Sequence, residues 1–94
     1  MSNVLYDDVI QALKGAGASM RCIEVKKHLE SLGFTVKDGK RGGHKVFTHC
    51  HIEDFTSGAF NCDHGKNPEI KRPYIKKIIK ILEKYEKELI EYLE

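Results

Sequence analysis

Phe34-Thr35-Val36-Lys37-Asp38-Gly39-Lys40-Arg41-Gly42-Gly43-His44-Lys45-Val46-Phe47 is the stretch on which the fold turns. Phe34 to Lys37 alternates apolar and polar side chains, the pattern of a half-buried strand. Asp38 to Gly43 reads as a basic, glycine-rich turn, because paired glycines let the backbone take positive φ or come close to a bulky ligand. Lys45-Val46-Phe47-Thr48-His49-Cys50-His51 returns as a second strand rich in β-forming residues. After a polar link over 53–58, Ala59-Phe60-Asn61-Cys62-Asp63 makes a third short strand. Three strands joined in this way make an antiparallel meander most simply.

Helices flank the meander. Leu5, Val9, Ala12 and Leu13 line one face of a helix over 2–14, with Ser2 or Asn3 as its cap. Gly15-Ala16-Gly17-Ala18 breaks it. A second helix runs from about Cys22 to Leu32, and Gly33 suits its C-terminal cap. Pro73 fits the first turn of a last helix. From there Ile75, Ile78, Ile79, Leu82, Leu89 and Leu93 follow one side for some 20 residues, or about 30 Å. Such a helix outruns a small sheet. Its far end should pack on the N-terminal helix or on a second copy of the chain, so both terminal helices are candidate surfaces for a homo-oligomer.

The order predicts an α+β fold, with helices on one face of a three-stranded antiparallel sheet and the other face free. With 94 residues, one domain over 1–94 is expected. Within it, 1–18 form an N-terminal helical extension and joint, and 20–94 form the core. Charged residues are 32% of the chain and hydrophobic ones 40%, the balance of a soluble globular domain. No apolar run approaches the roughly 18 residues of a membrane span, and no signal peptide opens the chain. A cytoplasmic protein without a membrane partner is therefore expected. Three cysteines, Cys22, Cys50 and Cys62, cannot all pair, and reduced thiols are the expectation.

Charge is unevenly placed. Between Lys37 and Lys80 ten basic residues face five acidic ones, whereas from Glu83 to Glu94 the acids lead five to two. A basic middle suits a polyanion. Within it, Lys40, Arg41 and Lys45 surround His44, and an imidazole exchanges protons near neutral pH. On the second strand His44 alternates with Phe47, the best core anchor, so His44 should face the open side. RNA cleaves when its 2′-hydroxyl attacks the adjacent phosphate. A base or acid at that step contributes about 10²–10⁴ in rate, and neighbouring cations stabilise the phosphoryl oxygens. His44 is the candidate catalytic residue. Lys40, Arg41, Gly42, Gly43 and Lys45 are candidate RNA-binding positions, with Lys76 and Lys80 of the last helix.

Several segments together carry a family resemblance. They are Cys22 to Val25 through Leu29 to Phe34, Gly43-His44-Lys45-Val46-Phe47, Cys62-Asp63-His64-Gly65-Lys66, and Arg72-Pro73-Tyr74-Ile75-Lys76-Lys77-Ile78-Ile79. In this order, from about Met20 to Ile81, the chain resembles the HicA family of toxins. The resemblance implies a double-stranded-RNA-binding-like α-β-β-β-α fold, here with an extra N-terminal helix and a long C-terminal helix. It also implies ribosome-independent cleavage of single-stranded or messenger RNA without a cofactor, His44 as the catalytic residue, and a HicB-type antitoxin as partner. The family usually places serine before the histidine, where this chain has Gly43.

Two alternatives stay open. One is a double-stranded-RNA-binding module without turnover. The other is a structural domain in which His49, Cys50, His51, Cys62 and His64 hold zinc. Lacking that metal, Cys50 and Cys62 would serve as small apolar residues and Cys22 as a helix-start residue.

Overall fold

The computed structural model describes residues 3–40, 42–63 and 65–94. Ser2, Arg41 and His64 lie outside the described residues.

Helix α1 spans Val4–Lys14 and opens on Asn3, whose side chain accepts the Tyr6 N–H at 3.1 Å. It buries Tyr6, Val9, Ile10 and Leu13. That stripe is turned slightly from the expected one, and Leu5 stays 41% exposed. The chain then forms a short strand β1, Ser19–Arg21, that runs directly into α2, Cys22–Ser31.

The main sheet has strands β2 (Thr35–Asp38), β3 (His44–Thr48) and β4 (Gly58–Asn61), in that spatial order and antiparallel throughout. Asp38 pairs with Lys45, Val36 with Phe47, and His44 with Asn61. Phe47 and Phe60 are fully buried. Phe34 meets the Phe47 ring edge-on at 5.5 Å, and Phe55 closes the group at 5.7 Å from Phe47. Burying one such aromatic stabilises the fold by about 1.5–3 kcal/mol.

A fifth strand, β5 (Glu69–Lys71), pairs with β1 in a separate two-stranded ladder and leads straight into α3, Arg72–Lys84. This ladder falls in segments read from the sequence as a joint and a loop. It explains how α2 and α3 begin without side-chain caps. A helix leaves its first N–H groups without intrahelical partners. Here the Cys22 N–H donates to the Pro68 carbonyl, and the Arg72 N–H to the Ala18 carbonyl, each at 2.8 Å. The N-cap of α2 is therefore Arg21 rather than Cys22.

The last helix is divided. It stops at Tyr85 and resumes as α4, Glu86–Leu93. The buried Tyr6 hydroxyl donates to the Leu82 carbonyl at 3.1 Å, and a side chain entering the ladder is a recurrent cause of helix breaks. Burial, followed by the nearby Glu86 and Glu83, pushes the Tyr6 phenol well above its ordinary range. Backbone bonds of helical spacing continue on either side of Tyr85, from its N–H to the Ile81 carbonyl and from the Leu89 N–H to the Tyr85 carbonyl, and α4 packs on the rest of the chain. Leu89 and Ile90 are buried, Tyr92 packs on His49 and His51, and Asn3 donates to Glu94 at 2.9 Å. Among the described residues, no helix is long and apolar enough to cross a membrane.

Two further expectations are corrected. Strand β3 ends at Thr48, not His51, because the chain turns at His49 and the Ile52 N–H returns to the His49 carbonyl at 3.4 Å. Cys22 and Cys62 are joined as a disulfide, with Cα atoms 6.0 Å apart, a separation that such a bridge spans. An odd count forbids complete pairing, not one pair. Cys50 is free and exposed rather than a buried apolar residue.

Candidate active site

His44 is the first residue of β3, immediately after the glycine turn. Two backbone bonds hold its position. The Gly39 N–H donates to the His44 carbonyl at 2.8 Å, and the Cys62 N–H donates to the Gly43 carbonyl at 2.7 Å. Gly43 has φ +82°, a conformation L side chains rarely adopt. Gly39 lies against the Cδ2 edge of the imidazole, leaving no room for a Cβ there.

The Nδ1 edge of the ring faces Asn61, its cross-strand partner, with Nδ1 2.9 Å from Oδ1. The Asn61 amide nitrogen donates in turn to the Tyr74 hydroxyl at 2.8 Å. Tyr74 lies in the first turn of α3, and the Lys77 ammonium stands 5.6 Å from its ring centroid. A chain of contacts thus runs from His44 across the sheet to the last helix. Nε2 of His44 has no hydrogen-bond partner among the described residues.

His44 opens onto a recess of about 670 Å³ that Gly39, Lys40, Gly42, Val46 and Asn61 also line. Of the positions read from the sequence, the structure brings Lys40 and Gly42 to His44, with Gly43 as its backbone neighbour. Lys45 does not join them. Its side chain leaves β3 on the opposite face and pairs with Asp38. The hydrogen bond and charge of Lys45 hold the Asp38 carboxyl below its ordinary range. Lys45 borders a second recess, of about 390 Å³, beside Cys22 and Lys26.

Lys76 and Lys80 are exposed and no contact ties them to the site. At about 100° per helical residue, Lys77 lies roughly 60° from Tyr74, while Lys76 and Lys80 lie more than about 100° away. Lys77 is the helix lysine whose contacts lead to His44. Two other cations are committed elsewhere. Arg72 donates to the carbonyl of Lys14, the last residue of α1, and to that of Gly17 in the following turn, and Lys71 pairs with Asp63 at 3.5 Å.

Of the proposed zinc ligands, His64 lies outside the described residues, and the others do not converge. His49 is buried, accepts the His51 N–H at Nδ1 (3.2 Å), and so donates from Nε2 to the Leu32 carbonyl at 3.0 Å. Cys62 is bonded to Cys22, and Cys50 is exposed. Among the described residues, no group of three histidine, cysteine or acidic side chains is placed to hold a metal.

Sequence reasoning passed over Asn61 and Tyr74, and among the lysines of the last helix it favoured Lys76 and Lys80 over Lys77. Strand parity alone could not find Asn61, since its partner depends on the register set by the link over 49–57. Tyr74 was visible only as part of the last helix's opening turn.

Fold and recess together define a small α+β protein with one solvent-facing histidine at the start of a central strand. The family model described as the HicA toxin of bacterial toxin–antitoxin systems matches residues 23–83, and the chain belongs to that family. No curated protein matches the chain, and no solved structure does.

Proposed function

We propose that this protein is the toxin of a type II toxin–antitoxin pair, acting in the cytoplasm as a ribosome-independent endoribonuclease on messenger RNA. A HicB-type protein is its antitoxin. The observation that supports this reading is the placement of His44, which opens onto a recess large enough for a ribose and its phosphate, with Lys40 on the same wall.

In the proposed reaction the imidazole takes the proton of a ribose 2′-hydroxyl. The freed oxygen attacks the adjacent phosphorus, and the bond to the 5′-oxygen breaks, leaving a 2′,3′-cyclic phosphate. The departing oxygen takes up a proton from water or from the imidazolium. Lys40, with Lys77 at the far side of Tyr74, neutralises charge on the phosphodiester. The backbone of Gly42 and Gly43 lets RNA come close to the strand. DNA, lacking the 2′-hydroxyl, is not a substrate.

The test is incubation of labelled RNA with purified wild type and His44→Ala, with and without chelator. The wild type should cut in both conditions. The folded variant should lose cleavage by about 10²-fold or more. Full cleavage by the folded variant would eliminate the proposal, and retention of RNA without new ends would point to a binding module instead.

A further inference from the structure

We infer that Asn61, anchored by Tyr74, is a positioning residue that fixes the tautomer of His44. The inference rests on the nuclease reading above for its effect on rate, but not for its structural content.

An amide oxygen only accepts hydrogen bonds. With Asn61 Oδ1 2.9 Å from Nδ1, the ring must carry a proton on Nδ1. The neutral imidazole then has its lone pair on Nε2, the nitrogen without a partner among the described residues. That is the form required of a base. An unrestrained imidazole favours the other tautomer, with Nε2 protonated, and the partner of one nitrogen sets the state of the other. A wrong tautomer disables an otherwise intact base.

Tyr74 anchors the amide. Its hydroxyl accepts from the Asn61 amide nitrogen at 2.8 Å, while Oδ1 faces the ring. Gly39 closes the Cδ2 edge of the imidazole, so the ring cannot swing away from Asn61 in that direction. Neither Asn61 nor Tyr74 needs to touch RNA to act in this way. The arrangement also answers a gap in this chain. Gly43 has no side chain, so no hydroxyl precedes His44, and orientation of the ring comes from across the sheet.

The test uses ¹⁵N-labelled full-length protein and long-range ¹H–¹⁵N correlation spectra, which report the protonation of each ring nitrogen. The wild type should show His44 protonated on Nδ1 at a pH where the ring is neutral. Asn61→Leu should move the proton toward Nε2 and lower RNA cleavage by about ten- to a hundredfold, with the fold retained. Asn61→Asp should keep the Nδ1 proton and move the rising limb of the pH–rate profile upward, because a carboxylate favours the imidazolium. A wild-type ring protonated on Nε2, or an Asn61→Leu spectrum and rate that match wild type, would overturn the positioning role. If instead the spectra behave as expected while His44→Ala cleaves normally, the positioning role stands as structure and the nuclease proposal alone falls.

Discussion

A Cβ placed on Gly43 would stand 2.5 Å from the carbonyl oxygen of Cys62. That carbonyl belongs to the backbone just past β4, where the neighbouring N–H already holds Gly43 in register. The obstacle cannot rotate away as a side chain would. Substituting serine, Gly43→Ser, therefore combines a collision with a φ of +82° that suits glycine. We expect the variant to lose about 1–3 kcal/mol of stability and to cut RNA no better than wild type. Urea denaturation beside a cleavage assay checks this, and a variant as stable as wild type would contradict it.

His49 should make the fold sensitive to mild acid. Burial lowers its pKa from the ordinary 6.5, outweighing the Leu32 carbonyl bond that raises it, and nearby His51 lowers it further. A depressed pKa means that the unfolded chain binds more protons than the folded one below pH 6.5. The stabilising contribution is thus complete above that value and is lost as pH falls through the folded pKa. Protonating Nδ1 also removes the acceptor of the His51 N–H. Denaturation midpoints between pH 8 and pH 5 should decline on the acid side, and the His49 ring signals should titrate below pH 6.5. Ring signals titrating above that value would refute the assignment.

The Cys22–Cys62 bond closes a loop with a sequence separation of 40 residues. Cross-linking a loop of that length restricts the unfolded chain and contributes about 2–4 kcal/mol. Reductant should lower the denaturation midpoint of wild type but not of Cys62→Ser, and Cys50→Ser should behave as wild type. Intact mass before and after reduction reads the pair directly. Cytoplasmic proteins seldom keep such bonds, so wild type prepared without oxidation gives the most telling measurement.

The sequence carried the α-β-β-β-α core clearly, for identifiable reasons. Phe47 and Phe60 sit at alternating positions between turn signals, and Ile75, Ile78, Ile79 and Leu82 repeat with helical spacing. Both patterns are local. The β1–β5 ladder was invisible because each strand has three residues and is stabilised by a partner some fifty positions away. The division at Tyr85 carries no glycine or proline signal, and the Tyr6 hydroxyl that bonds the Leu82 carbonyl beside it comes from near the other end of the chain. At the candidate site, His44 and Lys40 stood in one readable turn. Strand alternation already set Lys45 on the face opposite His44, and its ion pair with Asp38 could be read only from the strand register. Asn61 and Tyr74 required the three-dimensional register.

The two-stranded ladder bears on where this protein can be cut. The family match starts at residue 23, two positions beyond Arg21, the last residue of β1. A fragment trimmed to the matched region would strip β5 of its partner. It would also leave the Arg72 N–H at the start of α3 without the Ala18 carbonyl it bonds, and Arg72's guanidinium without the Lys14 and Gly17 carbonyls. The family match begins at one point along this polypeptide and mechanical integrity at another, so a workable minimal version must begin well upstream of residue 23.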